Sequence, residues 1–85
     1  MIVPLREKVV TLYSRRACGL CDEARDVILA ERRNAPFVFQ EVLIDGDDTL
    51  ELRYGLRVPV VEIDGEEEFE LTVDPEAFRS LVRPP

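Results

Sequence analysis

The chain has 85 residues, with eleven lysines or arginines against eighteen aspartates or glutamates, no histidine, and a formal charge of −7 at pH 7. Its length suits one small domain over residues 1–85, and a composition 46% hydrophobic and 34% charged is neither disorder-like nor membrane-like. So acidic a surface repels phosphate backbones and disfavours a nucleic-acid role. The apolar runs fall far short of a membrane span.

The opening MIVPLREKVV has no basic stretch followed by an apolar one, so no signal peptide is expected and the cytosol is the expected compartment. Lys8–Tyr13, KVVTLY, is rich in β-branched and aromatic residues and reads as a strand. Leu20, Ala24, Val27 and Ile28 then recur at i, i+4, i+7 and i+8, an apolar helical stripe with Arg25, Asp26, Arg32 and Arg33 mostly on the other side. Asn34, tolerant of the left-handed conformation, and Pro36 mark its stop. Residues 36–44, PFVFQEVLI, read as a second strand covered on both faces. Strand, helix and strand make a βαβ unit with a right-handed crossover.

Residues 45–55 offer Asp47 or Asp48 as the N-cap of a short helix and Gly55 as its C′ residue. VPVVEIDGEEEFEL predicts a hairpin with Asp64-Gly65 in a type I′ turn. Phe69 and Leu71 share one face of its second arm, and Glu66, Glu68 and Glu70 face away, as suits an exposed edge strand. Asp74-Pro75 supplies the N-cap and first residue of a last helix with Phe78, Leu81 and Val82 inward. The order β-α-β-α-β-β-α predicts an α/β fold with a four-stranded mixed sheet flanked by helices.

Cys18 and Cys21, the only cysteines, fall where the first strand has ended and the first helix begins. Unpaired amides and the helix dipole favour a thiolate there by roughly 0.3–1 kcal/mol, and Arg15 and Arg16 reinforce it. Asp22 and Glu23 in the first turn oppose it. Regular i, i+3 neighbours lie about 5–6 Å apart at Cβ, too far for a disulfide, so closure calls for an irregular first turn, with Gly19 as the flexible element. A structural staple is disfavoured by compartment and by its short loop. A zinc site needs four ligands, and this chain supplies two thiols and no histidine, so no metal is expected within one copy. Cys-x-x-Cys in a βαβ setting points to thiol–disulfide chemistry.

VVTLYS, CGLC opening a helix, and RVPVV before a hairpin together resemble the thioredoxin superfamily, and CGLCDEA with LIDGDDTLELRYGLRVPVVEIDG is similar to small bacterial glutaredoxin-like proteins. The resemblance covers nearly the whole chain. It implies a thioredoxin-like fold and a cis Val58-Pro59 peptide facing the cysteines, with the Val58 backbone pairing to a substrate peptide. It also implies Cys18 as nucleophile, Cys21 as resolving thiol, and Tyr13, Arg15, Arg16 and Arg57 as the rim. Ala17 stands where thioredoxins carry tryptophan, and Gly19-Leu20 lies between the cysteines. Leu71-Thr72-Val73-Asp74 replaces the Gly-Gly-x-Asp/Ser turn with which glutaredoxins grip glutathione, leaving Asp74 to meet an α-amino group.

The expected function is a monomeric cytoplasmic disulfide oxidoreductase with no bound cofactor. Protein disulfides or glutathione mixed disulfides are its expected substrates, glutathione a candidate co-substrate, and a separate reductase its electron donor. A non-catalytic peptide-binding module and a dimeric metal or iron–sulfur carrier are the other classes the sequence leaves open.

Overall fold

The computed structural model describes residues 7–83. Its elements are β1 (Lys8–Ser14), α1 (Gly19–Glu31), β2 (Phe37–Leu43), α2 (Asp48–Tyr54), β3 (Val60–Ile63), β4 (Glu66–Glu70) and α3 (Pro75–Val82), in the order the sequence predicts. The strands form one mixed sheet in the order β2-β1-β3-β4. β1 runs parallel to β2 and antiparallel to β3, and β3 antiparallel to β4. Among the described residues no helix is long and apolar enough to cross a membrane.

Side-chain alternation on the central strands sorts the helices into two layers. Val10, Leu12, Val61 and Ile63 point to one face, where Ala24 and Ile28 of α1 and Phe78 and Val82 of α3 cover them. Phe37 meets Phe78 edge-on at 5.6 Å between ring centroids. The opposite face carries Val60, packed with Ile44 and with Tyr54 of α2. Across the first layer, the nearly buried Glu31 of α1 accepts from Arg79 Nε of α3 at 3.1 and 3.2 Å. The carboxylate so close to the core is held by a charged partner, as burial demands.

Caps and turns follow their local chemistry. Asp47 accepts from Leu50 N–H and Asp74 from Ala77 N–H, each at 3.0 Å, capping α2 and α3. Asp64 and Gly65 both have positive φ, 52° and 86°, the type I′ pattern. Asp64 Oδ1 also accepts the Val9 N–H at 2.9 Å, fastening the turn to the start of β1.

Five local expectations are corrected. β2 is an edge strand in which only Phe37 is fully buried; its apolar composition reflects one covered face rather than two. α1 turns Cys21, Ala24, Ile28 and Glu31 inward, leaving Leu20 45% exposed and Val27 at the flank. The helix ends at Glu31, whose carbonyl accepts from Asn34 and Ala35, and Asn34 is not left-handed. Gly55 is the α2 C-cap itself with φ −51°, not a left-handed C′ residue; a Cβ there would collide with the Glu51 carbonyl, so closeness rather than handedness calls for glycine. Opposite the step from Val61 to Glu62 of β3, a bulge in β4 shifts the register, so Val61 faces Phe69 while Glu62 faces Glu67, and Leu71 falls outside the strand.

Phe78→Ala removes a fully buried ring from the α1/α3 layer and is expected to cost about 3–5 kcal/mol. Leu52→Ala, at a side chain 90% exposed on α2, is expected to change stability by less than about 0.5 kcal/mol. Urea unfolding followed by far-UV circular dichroism checks both.

Candidate functional site

Cys18 is the N-cap of α1. Its backbone is extended, φ −123° and ψ 104°, and its Sγ accepts the Cys21 N–H at 3.1 Å. The position that an Asp or Ser oxygen usually fills is thus held by sulfur, which draws on the unpaired first-turn amides and the dipole. Cys18 is half-buried and Cys21 fully buried. The two form a disulfide with Cα atoms 5.2 Å apart.

The irregularity that closes this bond does not come from Gly19, where an added Cβ would meet nothing within 4 Å and φ is not positive. It comes from the extended Cys18 cap and from Ala17 before it, whose φ of 52° lies in the left-handed region that an alanine enters at some cost. Together they lift the chain off β1 and swing Cys18 Sγ over the helix start.

Val58-Pro59 is cis, as the resemblance implies, and stands immediately before β3. Tyr13 of β1 pairs with Val60 of β3, so Pro59 lies at the end of the sheet from which β1 leads to Cys18. Leu71 fastens this loop: its N–H donates to Pro59 O at 2.8 Å and to Arg57 O at 3.2 Å, spanning Val58 from both sides. Leu71 has φ 68°, and Thr72 N–H returns to Glu70 O at 2.7 Å in a three-residue turn. Leucine here takes the backbone conformation that a glycine would enter without cost. Leu71, Thr72 and Val73 face Leu20, Glu23, Ala24 and Val27 across a groove of about 200 Å³ beside the cysteines' helix.

The other expected rim residues are drawn toward α2. Arg15 donates to both Glu51 carboxylate oxygens at 3.0 Å and to Gly55 O at 3.1 Å. Arg57 donates to Glu67 and Glu70 of β4 and to Arg53 O, with its guanidinium 5.7 Å from the Tyr54 ring centroid. The Arg57 guanidinium holds the Glu67 carboxyl below its ordinary value. Tyr13 stacks on Tyr54 at 4.1 Å and donates to Glu62 Oε1 at 3.4 Å. Val58 packs against the same cluster. Arg16 is exposed, and its backbone N–H donates to Asp45. The Asp74 carboxylate caps α3.

Two groups escape the sequence pattern. Tyr54 donates to the nearly buried Glu62 at 2.9 Å; burial first, then this bond, pushes its phenol well above the ordinary value. Beneath α1, the buried Ser14 hydroxyl donates to Glu41, Glu41 accepts Arg25 Nε and Nη2, and Arg25 Nη1 reaches Asp22 at 2.8 Å. Glu41 lies at the same parity as Phe37 and Phe39, a charge at an inward strand position, and that is the signal by which sequence could have singled it out.

Two helices on one face of a four-stranded mixed sheet, one on the other, a Cys-x-x-Cys pair capping α1 and a cis-proline before β3 define a glutaredoxin-like member of the thioredoxin superfamily. The chain belongs to the family described as Glutaredoxin-like domain (DUF836), whose model matches residues 9–83. An X-ray structure of a structural-genomics target protein from X. campestris is 43% identical, over 84% of this chain and 91% of that one, with a TM-score of 0.67. A solution structure of a protein from Nitrosomonas europaea is 23% identical, over 96% and 99%, with a TM-score of 0.80. A mutant thioredoxin from Halobacterium salinarum is 23% identical over 89% and 72%, with a TM-score of 0.65, and shares the fold. No curated protein matches the sequence.

Arg25, by its hydrogen bonds, holds the Glu41 carboxyl below the usual glutamate value. A carboxyl lowered on folding stabilises the fold above its unfolded value, and that stability is lost as pH falls through the folded value. The parent is therefore expected to exceed Glu41→Gln in stability at pH 7, with the difference shrinking toward pH 3. Urea midpoints of both proteins across that range measure it.

Proposed function

We propose that this protein is a thiol–disulfide oxidoreductase that reduces disulfides through Cys18 and Cys21. The observation that carries the reading is Cys18 Sγ held as the α1 N-cap within bonding reach of Cys21. In the reduced protein the Cys18 thiolate attacks one sulfur of a substrate disulfide, breaking that bond, joining Cys18 to one half and releasing the other half as a thiolate. Cys21 then loses its proton, attacks Cys18 Sγ, forms the Cys18–Cys21 disulfide and releases the second half. Two electrons pass to the substrate. A dithiol reductase or a thiol in excess returns them, and no bound cofactor takes part.

The half-buried Cys18 suits the attacking role, and the fully buried Cys21 suits the resolving one. The groove beside α1 supports protein disulfides as substrates. Its lining is largely apolar, and its one charged side chain is the carboxylate of Glu23, which repels the two carboxylates of glutathione. Arg15 and Arg57, the cations that would meet those carboxylates, are already paired with Glu51, Glu67 and Glu70. Leu71 binds the carbonyls on either side of Val58, which supports a role for the Val58 backbone in pairing with an extended substrate segment. A monomer acting in the cytoplasm completes the proposal.

Cys21→Ser keeps the nucleophile and removes the resolving thiol. Incubated with a protein disulfide, it is expected to accumulate a mixed disulfide on Cys18, seen as an added mass that dithiothreitol removes. Failure of both parent thiols to react with excess disulfide near pH 8 sinks the proposal.

A further inference from the structure

The first turn of α1 sets a problem for a reactive Cys18. Asp22 lies one helical turn from the cap and places a carboxylate where the dipole otherwise favours the thiolate. The two arginines expected to offset it are engaged otherwise. Arg15 is bound to Glu51 and Gly55, and Arg16 projects into solvent with only its backbone tied to Asp45. The cation on Asp22 is instead Arg25, one turn further along α1.

Arg25 does not reach Asp22 as a free surface side chain. Glu41 of β2 takes its Nε at 2.7 Å and its Nη2 at 2.5 Å, and Ser14, at the end of β1 and four residues before Cys18, donates its hydroxyl to the same carboxylate. These bonds fix the plane of the guanidinium and leave Nη1 directed at Asp22 Oδ1, 2.8 Å away. A planar fork with donors on two edges is what such a bridge requires. The bridge joins the end of β1, the middle of β2 and the first turns of α1.

We infer that Arg25 is a positioning residue for Cys18: clamped by Glu41 and Ser14, it holds the Asp22 carboxylate in its ion pair and so preserves the thiolate-stabilising field at the α1 N-terminus. This deepens the redox proposal and rests on it for its biological meaning. The charged groups on the elements around Cys18 are Arg15 and Arg16 in the preceding loop, Asp45 beside Arg16, Asp22 in the first turn of α1 with Glu23 next to it, and Glu41 on β2. Of the carboxylates on α1 and in that loop, Asp22 is the one that Arg25 contacts, and it shares the guanidinium with Glu41.

The test is the pH titration of the Cys18 thiolate in the reduced protein, read from iodoacetamide alkylation rates at Cys18 by mass spectrometry. Parent, Arg25→Gln, Asp22→Asn and the double variant form a cycle. A unit charge one turn away moves a thiol by roughly half a pKa unit in a watery setting. Arg25→Gln is expected to raise the midpoint by about that much. Asp22→Asn is expected to bring it back in the Arg25→Gln background and to move the parent by less than half as far. Equal effects of Asp22→Asn in both backgrounds, or no rise with Arg25→Gln, overturn the inference.

Should Arg25→Gln not fold, Arg25→Lys takes its place. It keeps the charge but loses the fork that Glu41 and Asp22 share, so its midpoint is expected to rise and Asp22→Asn to lower it further there than in the parent; equal effects of Asp22→Asn in the two backgrounds overturn the inference. Failure of the redox proposal reads differently. There the Asp22–Arg25 coupling persists while Cys21→Ser traps no substrate, whereas failure of this inference leaves trapping intact and makes the two positions additive.

Discussion

A helix starts with amides that none of its own carbonyls can reach, and α1 gives one of them to a sulfur atom. The bond from Cys21 N–H to Cys18 Sγ does two things together: it satisfies the helix start, and it brings the two cysteines into register. Everything else near the site bears on keeping that start in place. Ala24 and Ile28 seat α1 on β1 and β3, and Glu31 ties its far end to α3. Glu41 and Ser14 grip its middle from the sheet, and Ala17 sets the angle at which the chain arrives.

The sequence made the architecture readable because each element carried its own local signal. β-branched runs marked the central strands, Asp-Gly marked the hairpin, and Asp before a helix start marked two caps. Legibility failed where a residue's surroundings came from distant chain. An apolar strand reads alike whether one or two faces are covered, so β2 looked central although it lies at an edge. Leu20 fitted an apolar stripe as well as Cys21 did, and only the fold shows which of the two neighbours turns inward.

The site divides in the same way. The cysteines were legible from spacing and position, and the cis-proline only through the resemblance, since a proline before a strand is equally at home in trans. Arg15 was legible only in part: position in sequence says that it adjoins Cys18, but only the fold reveals that Glu51, thirty-six residues on, receives its guanidinium. Arg25 looked like an outward residue on a solvated face. Its place in a partly buried network depended on Glu41, an ionisable side chain turned toward the core side of an edge strand. In an acidic protein, cations are the scarce partner, and most of those near the site are already paired.

The face of the sheet that bears α2 has an optical character of its own. The chain contains no tryptophan and two tyrosines, and these are Tyr13 on β1 and Tyr54 on α2, stacked with rings 18° from parallel. All of the protein's tyrosine absorption and emission therefore arises from one contact between α2 and the sheet. The layer that carries α3 and the cysteine-bearing α1 is silent in that signal, apart from what it transmits through β1. Tyrosine spectroscopy follows the docking of α2 alone, and its comparison with backbone dichroism separates loosening of that layer from unfolding of the whole molecule.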